Sequence, residues 1–240
     1  MPVYQLLEDI PLFPPQKDAE PEGLLAVGGD LSTERLLSAY QQGIFPWYEE
    51  GQPILWWSPD PRLIMEPDNL KISKSLRKVL KKQIFEVKTD TAFSRVIEEC
   101  GGPRRSGQGT WITEAIKESY TKLHELGYAH SVECWFEKEL VGGLYGVSIG
   151  KCFFGESMFA KKTDASKVAF VSLVEQMKIW GVEMIDCQVT SDHLLSLGAH
   201  EIPRKEFLER LKNAVQKQSP PKNWMFGTPA WVSSEPIEKP

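Results

Sequence analysis

The chain has 240 residues, 41% of them hydrophobic and 25% charged, with a net charge of −5 at pH 7 and a pI near 5.5. That is enough for one large domain, or one domain with a smaller companion, around a proper core; it excludes disordered, fibrous and mini-protein classes. The acidic balance argues against coating nucleic acid through a broad basic surface and leaves room only for local patches.

The stretch from Met1 to Asp9 has no basic region followed by an apolar one, and nowhere do ~18 apolar residues run together, so a cytoplasmic location is expected. Cys100, Cys134, Cys152 and Cys187 lack metal-ligand spacing, and His124, His130, His193 and His200 are scattered. The expectation is four reduced structural thiols and no metal.

Residues 1–62 are rich in Pro, Gly and aromatics, with one helix predicted from about Leu31 to Gln42, Ser32 as N-cap and Gly43 as stop. Trp47, Trp56 and Trp57 then fall within eleven residues. Trp56 and Trp57 read as core, while Trp47, beside Pro46, is open to binding. This segment is expected to form a small N-terminal α/β domain, with residues 63–240 as the main domain.

Lys71 to Lys82 reads as an amphipathic helix. At 100° per residue, Lys71, Lys74, Arg77, Lys78, Lys81 and Lys82 fall within about 140°, opposite Ile72, Leu76, Val79 and Leu80. A charge run is usually a solvated face, yet no acid interrupts this one in an acidic chain, which favours a phosphate-bearing partner.

A helix from Thr113 to about Leu126 leads into strands over 131–136, 140–149 and 151–159, read as an antiparallel meander. A long helix follows from about Ala165 to Trp180, then a strand from Met184 to Val189, helices over 192–197 and 204–216, and an irregular Pro-rich tail after Ser219. The order implies an α+β fold whose sheet is split at its centre.

Glu156, Asp186 and Gln188 sit inside apolar strand-like runs, where an uncompensated carboxylate costs several kcal/mol. Strict alternation puts Asp186 and Gln188 on one face and Ile185, Cys187 and Val189 on the other. Such a pair is either a site or a buried polar contact that fixes register. Alternation also separates Phe153 from Glu156, unless Gly155 hosts a bulge that brings both to one cleft.

The element order resembles the acetyltransferase-like (GNAT) fold, a mixed sheet flanked by helices. Members that use acetyl-CoA hold its pyrophosphate on a glycine-rich turn; the junction here, Ala160 to Lys167, has no glycine. A coenzyme A donor is disfavoured. The strings Gly23 to Leu31, Gly43-Ile44-Phe45-Pro46-Trp47, Ile54 to Arg62, Gly109-Thr110-Trp111-Ile112, Phe153 to Phe159, Asp186-Cys187-Gln188 and Ser196-Leu197-Gly198-Ala199 together resemble the leucyl/phenylalanyl-tRNA–protein transferases. The stretch between Cys100 and Gln108 and the tail do not follow that pattern.

The resemblance implies transfer of leucine or phenylalanine, and methionine less well, from aminoacyl-tRNA to a protein N-terminal arginine or lysine, creating an N-end-rule degradation signal. That reaction needs no cofactor; no membrane partner is expected, and with nothing in the sequence to suggest an obligate interface a monomer is expected. The resemblance assigns Asp186 and Gln188 to the attacking amine and Glu156 to substrate positioning. It points to Leu144, Phe153, Met158, Phe170, Leu173 and Ile185 for the aminoacyl side chain, positions that pattern alone would read as core. Trp47 and Trp111 are its adenosine platform, with Gly109 and Thr110 making Trp111 a loop residue, and the cationic stripe its phosphate site. The proton's route stays open among Asp186, Gln188 and the tRNA 2′-hydroxyl, as does the acid that reads the acceptor side chain. A noncatalytic RNA-binding module would use the stripe and the tryptophans but leaves Glu156, Asp186 and Gln188 unexplained. A cell-wall peptidyltransferase fed by aminoacyl-tRNA would share the fold without reason for the N-terminal strings.

Overall fold

The computed structural model describes residues 3–8, 10–102 and 111–227. The N-terminal part carries β1 (Tyr4–Leu6), β2 (Leu24–Gly28), α1 (Thr33–Gln41), β3 (Phe45–Pro46) and β4 (Leu55–Trp57), and its strands form a four-stranded mixed sheet in the order β1-β2-β4-β3. Ser32 caps α1 by accepting the Arg35 N–H, and Gly43 at φ 72° ends its turn. The glycine-rich string before α1 has a packing reason. Asp30 holds the guanidinium of fully buried Arg35 at 2.8 Å, and Gly29, at φ 74°, leaves room for that group: a Cβ there would sit 3.0 Å from Arg35 Cζ.

The chain continues through β5 (Arg62–Met65), α2 (Lys74–Lys82), β6 (Glu86–Thr89), α3 (Phe93–Cys100) and α4 (Glu114–Glu125). The meander follows as β7 (Ala129–Phe136), β8 (Glu139–Ile149) and β9 (Cys152–Ala160), then α5 (Ala165–Ile179), β10 (Met184–Gln188), α6 (Asp192–Ser196), β11 (His200–Ile202) and α7 (Arg204–Ala214). Seven of these strands make a second mixed sheet in the order β11-β5-β10-β9-β8-β7-β6. The α+β expectation and the meander therefore stand. Strands β5, β6 and β11 and helix α3 were not anticipated.

Each face of the large sheet carries its own core. Residues of α1, α3, α4 and α7 cover one face together with the N-terminal sheet; α2 and α5 cover the other. Alternation along β5 divides accordingly, with Ile64 on the first face and Leu63 and Met65 on the second. α5 is buried nearly all round, so it reads as apolar rather than amphipathic. On the meander, fully buried Glu133 accepts the N–H groups of Thr91 and Ala92, which fixes the turn that leads into α3, a helix without a side-chain cap.

The basic helix starts later than expected. Ser73 caps α2 by accepting the Leu76 N–H, and Lys71 lies before it with its own N–H bonded to the Leu197 carbonyl, so Lys71 is not part of the helical stripe. Among the described residues no helix is long and apolar enough to cross a membrane.

Candidate active site

The large sheet splits at its centre. Parallel β9 and β10 pair at only three positions, Cys152 to Phe154 against Met184 to Asp186, although β9 runs on to Ala160 and β10 to Gln188. Past that point the strands part, and a cavity of about 180 Å³ opens between them. Leu144, Phe153, Met158, Phe170, Leu173 and Ile185 all line it, and Tyr145, Glu156, Cys187, Ser191, His193 and Leu194 are among the other residues of the wall. An apolar space of about 150 Å³ is enough to admit a benzene ring. The cavity therefore has room for one branched or aromatic side chain.

Two register slips shape its polar end. On β9, Tyr145 faces Ser157 while Gly146 faces Gly155, which leaves Glu156 as the extra residue of a bulge. The slip changes the phase of the strand, so Phe153 and Met158 pack in the cavity-side core while Phe154 and Phe159 pack on the opposite one. Phe153 and Glu156 thus meet in one cleft, as a bulge at Gly155 would require.

On β10, Asp186 faces Ile64 and Gln188 faces Leu63, neighbours in β5, so Cys187 is the extra residue there. Alternation that would put Asp186 and Gln188 on one face is broken at this point, a correction to the sequence reading. Gln188 has φ 63°, unusual for a non-glycine residue and worth about 1–3 kcal/mol of strain unless held. Its holder is Asp186, whose Oδ1 accepts the Gln188 N–H at 2.9 Å.

The two side chains go separate ways. Asp186 is fully buried and bidentate with Arg62, Nε to Oδ1 at 2.8 Å and Nη2 to Oδ2 at 2.6 Å. The Arg62 guanidinium lies between the rings of Phe45 and Phe207, 4.8 and 4.5 Å from their centroids, and its Nη1 has no hydrogen-bond partner. Gln188 instead donates its Nε2 to Glu156 Oε1 at 2.8 Å. Tyr40 donates to the same oxygen at 2.7 Å, Tyr120 donates to Oε2 at 3.3 Å, and the two phenols are in short contact with each other. Burial pushes the Glu156 carboxyl up to about 7, helped by the charge of Asp186 and opposed by the Tyr40, Gln188 and Tyr120 donors. Burial also pushes the Cys187 thiol well up, while burial and Lys167 lower His193.

Sequence reasoning missed Tyr40, Tyr120 and Arg62. Arg62 carried a usable signal, a cation opening the apolar run Arg62-Leu63-Ile64-Met65 that mirrors the acid inside Met184-Ile185-Asp186. The tyrosines carried none, since a buried tyrosine on a helix face reads as core.

Trp47 is 41% exposed, and its carbonyl accepts the Trp57 indole N–H at 2.7 Å, their rings 5.6 Å apart. The hydroxyl of the next residue, Tyr48, lies 3.2 Å from that of Thr113, the N-cap of α4, which ties the Trp47 turn to the segment holding partly buried Trp111. Gly109 and Thr110 lie outside the described residues. Lys74, Arg77, Lys78, Lys81 and Lys82 are exposed on α2, and among the described residues none pairs with a carboxylate. Their helix anchors Leu76 and Leu80 in the same core that walls the cavity. No group of three or more His, Cys, Asp and Glu able to hold a metal occurs among the described residues.

Comparison with known proteins accords with the strings noted above. The model of the leucyl/phenylalanyl-tRNA protein transferase matches residues 64–212, and that of the N-terminal domain of the same transferase matches residues 29–60. The leucyl/phenylalanyl-tRNA–protein transferase of Azoarcus sp. is 56% identical over 93% of this chain and 96% of its own, and that of Syntrophobacter fumaroxidans is 57% identical over the same shares. The solved structure of L-PGS from Bacillus licheniformis is similar to this chain only at a TM-score of 0.40 and 13% identity, covering 70% of this chain and 54% of that one. On the strength of the family match and these relatives, the chain belongs to the leucyl/phenylalanyl-tRNA protein transferase family.

Proposed function

We propose that this protein transfers leucine or phenylalanine, and methionine less well, from aminoacyl-tRNA to the N-terminal arginine or lysine of proteins, and so creates an N-end-rule degradation signal. The observation that carries the reading is an apolar cavity of about 180 Å³ ending in the Glu156–Gln188 pair, in a chain of this family. Leu144, Phe153, Met158, Phe170, Leu173 and Ile185 hold the aminoacyl side chain. Met158, unbranched and adaptable, suits a wall that accepts more than one apolar shape.

The donor is already an activated ester, so the amine attacks its carbonyl directly and no cofactor supplies energy. A free α-amino group has a pKa of about 7.7 to 8.0, which leaves a reactive fraction at neutral pH. Holding the two reactants together supplies roughly 7 to 11 kcal/mol of the barrier. Gln188, an amide, is too weak a base to take a proton, but its oxygen accepts a hydrogen bond from the amine and aims the lone pair. Trp47 and Trp111 stack on the terminal adenine, a contact worth about 1–3 kcal/mol per base. The α2 stripe, with Lys71 beside it, holds tRNA phosphates without reading sequence.

In this reading residues 1–62 and 63–240 are two units of one cytoplasmic monomer. The second has an acetyltransferase-like fold, a reading supported by the meander, the following helix and the parallel, divergent β9 and β10. The test is transfer of radiolabelled leucine from Leu-tRNA to a peptide with N-terminal arginine, beside the same peptide starting with alanine. Labelling of the arginine peptide alone is expected. No labelling of either, with tRNA bound, would replace the reading with a noncatalytic RNA-binding module.

A further inference from the structure

The site holds two buried carboxylates, and only one is arranged to exchange a proton. Asp186 faces away from the cavity that its neighbours Ile185 and Cys187 line. Arg62 engages both of its oxygens, and the Gln188 N–H takes a further position on Oδ1. These partners are N–H groups that donate and never accept, so a proton arriving on Asp186 would break the ion pair and release Gln188.

Glu156 differs in both respects. It lies in the cavity wall, and an ionised carboxylate offers about four acceptor positions. Tyr40 and Gln188 occupy Oε1, and Tyr120 reaches Oε2. One position on Oε2 remains. Two of the three partners are hydroxyls, which turn from donor to acceptor by rotation. The contact between Tyr40 and Tyr120 lets them reorient together, so Glu156 can gain a proton and still be hydrogen-bonded. Burial, which lifts this carboxyl to about 7, brings it close to the ~7.7–8.0 of the amine it would serve.

Resting on the transferase reading of the cleft, we propose that Glu156 accepts the proton of the attacking α-amine and returns it to the departing 3′-oxygen, while Asp186 is a positioning residue that acts through Gln188. The amine nitrogen bonds to the ester carbon and its proton passes to Glu156. The carbon–oxygen bond to the tRNA then breaks, and the same proton leaves on the 3′-hydroxyl. Charges and protons balance with no other reactant.

Other titratable groups face Glu156. Tyr145 lines the same wall with its phenol pushed well up by burial, the Cys187 thiol is raised likewise, and His193, across the cavity, is lowered. All three remain in a Glu156→Gln variant, so an ionisation lost there is that of Glu156.

The experiment is single-turnover transfer from Leu-tRNA to an arginine-initiated peptide at saturating donor and limiting acceptor, followed across pH. Glu156→Gln is expected to lower the rate by about 10²–10⁴-fold, and the log-rate slope between about pH 5.5 and 6.5 should fall by one unit. Glu156→Asp should keep that ionisation. Asp186→Asn should lower the rate with the slope retained. Tyr40→Phe, an independent and milder change, should move the midpoint upward, because the ionised carboxylate loses a donor. A wild-type slope in Glu156→Gln, a lost ionisation in Asp186→Asn, or an unmoved midpoint in Tyr40→Phe would each overturn the proposal. Failure of the wild-type protein to transfer leucine at all would overturn the transferase reading itself.

Discussion

Replacing Arg62 by methionine tests the buried ion pair separately from the chemistry. The change leaves the fully buried Asp186 carboxylate without its bidentate partner, which costs about 3–5 kcal/mol. Loss of the guanidinium from between Phe45 and Phe207 adds about 0.5–2 kcal/mol. Asp186→Leu should cost a similar 3–5 kcal/mol by stranding the guanidinium, so independent effects would sum to roughly 6.5–12 kcal/mol. The double variant removes both charges. Its remaining cost is the orphaned Gln188 N–H, about 1–3 kcal/mol, plus the ring contacts. At about 2–4 °C per kcal/mol for a chain of this size, the single variants should melt roughly 6–28 °C lower. The double variant should recover much of that loss, as followed by circular dichroism and urea titration. Its transfer activity should stay low, because Gln188 at φ 63° has lost the group that holds it. A double variant as unstable as the sum of the singles would refute the argument that Arg62 and Asp186 are coupled.

Leu144→Trp fills the 180 Å³ cavity from its wall and should impair phenylalanine transfer; single-turnover rates unchanged for Phe-tRNA would remove Leu144 from the pocket. Replacing Lys74, Arg77 and Lys78 together by glutamine should weaken tRNA binding and make the slope of log affinity against log salt about two to three units shallower, read by filter binding across ionic strength. An unchanged slope would take the stripe out of tRNA binding. Trp47→Ala should weaken binding of the donor by about 1–3 kcal/mol, and Trp57→Phe, which removes the hydrogen bond to the Trp47 carbonyl, should show a smaller loss of the same kind. Coenzyme A should leave the melting temperature unchanged, since the turn that would hold its pyrophosphate has no glycine; a clear upward shift would reopen an acetyltransferase reading.

Much of the fold was legible because it is locally encoded. Ser32 and Thr113 each accept the N–H three residues ahead, so the starts of α1 and α4 could be read from a few consecutive residues. The meander showed through its long runs and turns, and Gly155 marked the place of a bulge. Lys71 was misplaced because the helical period extends back past Ser73, the N-cap at which the helix starts.

What the sequence determined by itself was the family pattern, the α+β order and the apolar residues that came to line one cavity. What only the tertiary structure decided was how its polar groups meet. Arg62 reaches Asp186 across 124 residues and Tyr40 reaches Glu156 across 116; a charge inside an apolar run marks a residue that needs a partner, but nothing near it names which one. The slips at Glu156 and Cys187 are set by β8 and β5, the neighbouring strands, so periodicity within β9 or β10 had to miss them. Those two slips turn Glu156 and Gln188 toward each other and leave Asp186 behind with Arg62. A strand's own sequence sets which residues alternate, but the partner strand sets where the alternation breaks.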